Sequence, residues 1–267
     1  MIRKATVAGH FYPDDPEELR TFIESCIGKA EAAAPAKALL APHAGYVYSG
    51  AVAAETFSSA RIPRRVILLG PNHSGLGEAL ALSPAEVWEM PMGKVRTDAD
   101  MNDLLRAECP GLKEDSRAHL REHSLEVQIP FLQYLRPDFR FSAICIRAIE
   151  YKALEELGRA MARVIRSSGE PVLLAVSSDM SHYESAEAAA RRDKLAIDRI
   201  LALDPAGLYK TVLRNNISMC GFAPAVAALT ACLDLGASSG RLISYTNSGA
   251  ASGDWSSVVA YAGIIID

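Results

Sequence analysis

Three apolar runs along this chain end in the same way. Leu39-Leu40-Ala41 opens into Pro42-His43-Ala44-Gly45, and Val66-Ile67-Leu68-Leu69-Gly70 opens into Pro71-Asn72-His73-Ser74-Gly75. Val172-Leu173-Leu174-Ala175-Val176 opens into Ser177-Ser178-Asp179-Met180-Ser181-His182. Continuous apolar runs, unlike alternating ones, suit strands buried on both faces of a sheet. The patterning predicts strands near 38–42, 66–70, 78–83, 139–146, 171–177, 240–246 and 256–266. It predicts helices near 15–29, 50–60, 98–107, 121–135, 151–168, 184–203, 205–214 and 222–235. Pro16 suits the first turn of the first helix, and Pro130 should kink or split the one over 121–135. Strand and helix in alternation predict an α/β fold: three layers, α/β/α, with a mostly parallel sheet and helices on both faces.

In an open sheet of this kind, chemistry collects at the carboxyl ends of the strands. Three such ends place His43, His73, Asp179 and His182 on one rim, the composition of a metal or acid–base site. Gly45 and Gly75 let the backbone turn sharply beside the two histidines. The plainer alternative is a pair of turn histidines bonded to backbone. Asp179 and His182 are three apart; a helix starting near Ser181 would set both on its first turn, as ligand-orienting or general acid–base groups. Alternatively Asp179 or Ser181 merely caps that helix. Cys220 precedes Gly221 at the start of an apolar helix, where a thiol's pKa falls and it becomes a better ligand or nucleophile; the bland reading is an inert buried thiol. Cys26, Cys145 and Cys232 read as core, and Cys109, beside Pro110, as a loop residue.

His119-Leu120-Arg121-Glu122-His123 spells H-x-x-E-H, an inverted zinc-protease pattern. His123 and Glu126, at i and i+3 on a helix, can face one cleft. The loop 246–254, rich in Ser and Gly, either cradles a small anion, closes over a pocket, or is a simple connection.

Composition narrows the partners. The formal net charge is −4 and no basic stripe occurs, which excludes nucleic acid as an expected ligand. No apolar run reaches the ~20 residues of a membrane helix. The early acidic residues Asp14, Asp15, Glu17 and Glu18 leave no signal-peptide core. Five cysteines, odd in number and without C-x-x-C, indicate a reducing compartment, so a cytoplasmic location is expected. Walker A, G-x-G-x-x-G and G-x-S-x-G are missing, which weakens nucleotide-binding and serine-hydrolase readings. The one linker-like stretch, 30–36, is short, so residues 1–267 are expected to form a single domain.

Six blocks, in order, span nearly the whole chain: Gly9-His10-Phe11-Tyr12-Pro13; Ala41-Pro42-His43-Ala44-Gly45-Tyr46-Val47-Tyr48-Ser49-Gly50; Leu69-Gly70-Pro71-Asn72-His73; Glu122-His123-Ser124-Leu125-Glu126-Val127-Gln128-Ile129-Pro130-Phe131-Leu132; Ser177-Ser178-Asp179-Met180-Ser181-His182-Tyr183; and Met219-Cys220-Gly221. Together they resemble the Memo family, protein B of the AmmeMemoRadiSam system, which is similar in fold to class III extradiol dioxygenases. The resemblance implies a metal centre on His43, His73 and Cys220. Asp179 and His182 would stand beside it as catalytic groups, and His123 and Glu126 would belong to a further motif and are candidates for the same role. His119 falls outside that motif. A thiolate where the dioxygenases use a carboxylate is softer, which suits iron first, with copper or zinc as alternatives.

The implied activity is oxidation–reduction of a small molecule or a thiol-bearing partner. The alternative is a non-catalytic module holding a peptide or protein in a dioxygenase-like cleft, with Tyr46, Tyr48, Phe222 and Trp255 as an aromatic wall. A third reading is a zinc peptidase on His119 and His123. The resemblance also implies a functional link to radical SAM and AMMECR1-like proteins.

Overall fold

The continuous apolar runs become neighbouring buried strands. A computed structural model describes residues 1–27, 33–147 and 150–267. In chain order the elements are β1 (Ile2–Lys4), α1 (Pro16–Cys26), β2 (Ala38–Ala41), α2 (Tyr46–Ser58), β3 (Arg65–Pro71), β4 (Leu80–Leu82), β5 (Val87–Met90), β6 (Gly93–Arg96), α3 (Ala99–Glu108) and β7 (Lys113–Glu114). A 3₁₀ turn (Glu126–Gln128) leads into α4 (Ile129–Leu135), β8 (Arg140–Ile146), α5 (Tyr151–Ser167), β9 (Val172–Ser177), β10 (His182–Glu184), α6 (Ala186–Leu201), α7 (Pro205–Asn215), α8 (Phe222–Asp234), β11 (Gly240–Asn247), α9 (Gly249–Ser252) and β12 (Val258–Ile266).

The main sheet runs β10-β12-β2-β9-β3-β8-β4-β7, with β11 also paired to β12. Its centre, β2-β9-β3-β8, is parallel. Antiparallel β12 closes one side and antiparallel β4 the other. Successive residues point to opposite faces, so β3 sends Ile67 and Leu69 into a core under α3, α5, α6, α7 and α8. Val66 and Leu68 go into a second core under α1, α2 and α4. Two cores on two faces of one sheet make the expected α/β/α layering. The parallel strands share one direction, so the segments after β2, β3 and β9 emerge at one rim.

Departures from the expected elements are local. No helix covers 121–125; α4 begins only at Ile129, with Pro130 in its first turn, where a missing N–H costs nothing. A helix does not start near Ser181 either. The chain first makes β10 against β12, and Ser185 caps α6 by accepting from Ala188 N. The small sheet β1-β5-β6, with Trp88 buried in it, gave no run long enough to be read from sequence. Of the expected helix 15–29, α1 covers Pro16–Cys26, capped by Asp15; Lys29 and the 30–32 part of the linker-like stretch lie outside the described residues. Among the described residues, no helix is long and apolar enough to cross a membrane.

Candidate metal centre

His43 sits two residues beyond β2. Its backbone N–H donates to Asp179 Oδ1 at 2.7 Å, and its Nδ1 lies 2.8 Å from Ser177 Oγ. Ser177 Oγ gives its single proton to the Ser124 carbonyl at 2.6 Å and accepts from Gln128 Nε2. It can therefore only accept from His43, which fixes the proton on Nδ1 and leaves Nε2 unprotonated. Burial, with three neighbouring histidines, holds the His43 pKa well below its ordinary value, so the ring is neutral.

His73 follows β3 by the same logic with a different partner. Its backbone N–H and Nδ1 reach the two oxygens of Glu122, at 2.6 and 2.9 Å. A carboxylate only accepts, so Nδ1 again carries the proton and Nε2 is left free. Burial pushes the Glu122 carboxyl up, but hydrogen bonds from His73 and Ser124 N outweigh it and draw the pKa down to about 2. Burial lowers the His73 pKa, and the Glu122 pairing more than reverses that. A carboxylate behind a histidine fixes tautomer and ring orientation, the usual support for a metal-bound imidazole.

His123 completes the set. Its ring stacks on His73, with centroids 4.7 Å apart, and stands edge-on to His43 at 5.4 Å. Phe11 backs it at 4.7 Å. Among the described residues, the donor group whose ligand atoms all lie within 4.8 Å of one another is His43, His73 and His123. Three imidazoles, two with Nδ1 already spent, suit a borderline cation such as iron(II), zinc or copper. The segment carrying Glu122 and His123 packs so closely on the end of β3 that a Cβ at Gly70 would meet Leu125 Cδ2 at 2.7 Å and Ser124 Oγ at 2.8 Å.

Cys220 flanks this group without belonging to it. Its Sγ is 3.2 Å from His43 Nε2 and accepts from Asp179 N at 3.2 Å. The turn holding it is pressed against β9: a Cβ on Gly221 would fall 2.4 Å from Ser177 O. With no ion beside it, the shift runs opposite to the low pKa expected of a helix start. Burial, then the Asp179 carboxylate, pushes this thiol well above its ordinary value, and the start of α8 does not compensate. Asp179 and His182 both line the cleft. Burial raises the Asp179 carboxyl against the opposing His43 N–H. His182 donates Nδ1–H to Ser218 O at 3.0 Å, leaving its Nε2 as the open nitrogen.

Glu126 does not join them. It is fully buried and bound by Arg3 Nη1 at 2.7 Å, by Thr6 and Val7 N–H groups, and by the Tyr12 hydroxyl. The i,i+3 argument fails because 123–126 is not helical. His119 is likewise apart: its Nε2 meets Ala81 O at 3.0 Å and its Nδ1 meets Cys145 Sγ. This removes the peptidase pairing with His123. Of the proposed aromatic wall, Tyr48 lines the cleft. Tyr46 is buried on the Val127 carbonyl, Phe222 packs into the α8-side core, and Trp255 lies outside the lining. The loop 246–254 does reach the cleft, through Ser248, Ser252 and Asp254. Sequence reasoning missed Glu122 and Ser177 as partners of the histidines; Glu122 stood in view inside the H-x-x-E-H string.

A parallel-centred α/β sheet with three imidazoles on its carboxyl rim and a cleft of about 660 Å³ over them defines the class. The family model described as Memo-like protein matches residues 3–265. A MEMO1 family protein of Aquifex aeolicus is 41% identical over 99% of this chain and 98% of its own. Another, of Methanopyrus kandleri, is 40% identical over 99% of each chain. An uncharacterized protein of Escherichia coli K12 shares the fold at TM-score 0.53 with 14% identity, covering 84% of this chain and 98% of that one. The chain belongs to the Memo family.

Proposed function

We propose that this protein holds a metal ion on His43, His73 and His123 and uses it for oxidation–reduction of a small molecule or a thiol-bearing partner in the cleft. Iron is the first choice, with copper and zinc as alternatives. The carrying observation is the convergence of three imidazoles, of which His43 and His73 have Nδ1 committed to Ser177 and Glu122. Cys220, 3.2 Å from His43 Nε2, becomes a further donor once a cation displaces its proton. A bound ion of this kind supplies Lewis acidity and, if iron or copper, one-electron chemistry. The chain's own residues handle protons: Asp179, whose carboxyl burial raises to about 6, is poised to take one up, and His182 accepts one at Nε2. Glu126 is left with the task of fastening the N-terminal segment.

The test is metal analysis after anaerobic purification, with oxygen uptake measured on the same samples. Near-stoichiometric metal in the parent, its loss in His123→Ala and its retention in Cys220→Ala are expected. A metal-free parent, or undiminished metal in His123→Ala, refutes the assignment. The competing reading, a non-catalytic peptide-binding module, draws on the exposed Tyr48 and Tyr183 at the cleft rim. A metal-free protein that binds peptides would favour it.

A further inference from the structure

The cleft over the three histidines has a one-sided chemistry. Among the described residues that line it there is no Lys and no Arg. Its ionisable lining, apart from histidine and tyrosine, is Asp179 at the floor and Asp254 at the mouth. Asp179 is almost completely buried; its carboxylate accepts from the backbone N–H groups of His43 and Ala44, and its Oδ2 lies 4.0 Å from His43 Nε2. Asp254 is held by Ser256, whose N–H and hydroxyl donate to Oδ1 at 2.8 and 2.6 Å, and among the described residues no Lys or Arg is ion-paired with it. Aromatic walls complete the lining: Phe11, Tyr48, Tyr183 and Tyr261. Tyr183 is 81% exposed and sits at φ 59°, a backbone conformation that costs a non-glycine residue about 1 kcal/mol or more. Pairing of the flanking His182 and Glu184 with β12 imposes that conformation, and the result is a bare phenol ring at the mouth.

We infer that the cleft takes a ligand with a cationic amine, received between Asp254 and the tyrosine rings at the mouth, and an aromatic or apolar body running toward the histidines. Carboxylate plus aromatic faces is the pairing that recognises an ammonium group, since the ring quadrupole and the anion both favour positive charge. At the mouth, away from the histidines and from any ion they hold, an anionic group meets Asp254 and, among the described lining residues, no Lys or Arg, and loses there. A volume of about 660 Å³ admits a molecule of that size whole. This inference takes the same cleft as the metal reading and rests on it for the end of the ligand nearest the histidines; the amine end depends on Asp254 and Tyr183.

The experiment is calorimetric titration of the full-length, anaerobically purified protein with three matched probes: phenethylammonium, 3-phenylpropionate and 2-phenylethanol. The ammonium probe should bind at least about tenfold tighter than the carboxylate, a difference of about 1.4 kcal/mol. Asp254→Asn should weaken the ammonium probe by about tenfold and leave 2-phenylethanol unchanged. Tyr183→Gly, which relieves the left-handed strain and so does not threaten folding, should weaken the ammonium probe several-fold with Tm kept or raised. Equal or tighter binding of the carboxylate, no binding of the ammonium probe, or an Asp254→Asn variant indistinguishable from parent overturns the inference. Metal content, read on the same samples, separates the two failures. Bound metal without amine preference sinks this inference alone; amine preference in a protein that binds no metal sinks the metal reading and leaves this one standing.

Discussion

Glu122 decides how His73 meets the cleft, because both of its oxygens are engaged by that one residue. Glu122→Gln places an amide donor against one of the two His73 N–H groups and loosens the ring. Metal affinity should fall by about 10- to 100-fold, the usual cost of losing such a support, with the circular dichroism spectrum unchanged; competition against a chromophoric chelator measures it. Cysteine reactivity follows exposure. Cys26 and Cys220 are partly exposed while Cys109, Cys145 and Cys232 are buried; although the Cys220 residue reaches the surface, desolvation at its sulfur, then the Asp179 carboxylate, raises that thiol's pKa. In metal-free protein near neutral pH, alkylation mapped by mass spectrometry should find Cys26 modified first. At this scale the sequence disclosed His43, His73, Asp179 and His182, because each follows an apolar run whose end is visible. It did not disclose that His123, and not Glu126, turns into the cleft. That outcome depends on Arg3 drawing Glu126 inward from across the chain, and no local pattern encodes such a contact.

Among the elements, α6 carries a group that organises the rim. Asp193 is fully buried, accepts from Ser181 N and Oγ at 2.9 and 2.6 Å, and accepts from the Tyr245 hydroxyl at 2.8 Å. It thereby ties α6 and β11 to the segment just before His182. Asp193→Ala strands those donors and should cost about 2 kcal/mol or more in urea unfolding. Burial raises the Asp193 pKa above its ordinary 3.8, against the hydrogen bonds that favour the anion. The native state therefore holds this proton more tightly than the unfolded chain does. Its contribution to stability is full below 3.8 and declines as pH rises through the folded value. Asp193→Asn, which cannot titrate, should gain stability relative to the parent as pH rises from about 4 to 7; a parallel pH series of the two proteins checks the sign. The long strands and helices were legible because each carries its own period. The sheet β1-β5-β6 was not, since three- and four-residue strands hold too few positions to show one. The start of α6, read from sequence near 184, falls at Ala186; the conditional start near Ser181 fails because the pairing of β10 with β12 takes up the residues between Ser181 and the Ser185 cap.

For the whole molecule, Arg3 is the joint between the small sheet and the segment behind the site. Its guanidinium donates to Glu126, to the carbonyls of His119 and Glu122, and lies 3.8 Å over the Trp88 ring. Arg3→Ala leaves Glu126 charged and buried without its cation and should cost about 3–5 kcal/mol, read as a loss of urea midpoint. The double change Arg3→Met with Glu126→Gln should recover part of it, since the uncompensated charge is then gone. The three clustered histidines come from stretches of chain joined only through this assembled architecture. An ion seated among them is a clasp across the sheet that the unfolded chain has no means of closing. Its occupancy would then set how long the protein lasts: at a free metal concentration one hundred times the Kd, unfolding becomes harder by about 2.7 kcal/mol. A cell short of that metal would lose the protein itself to proteolysis, and abundance would track supply before any change in activity was felt.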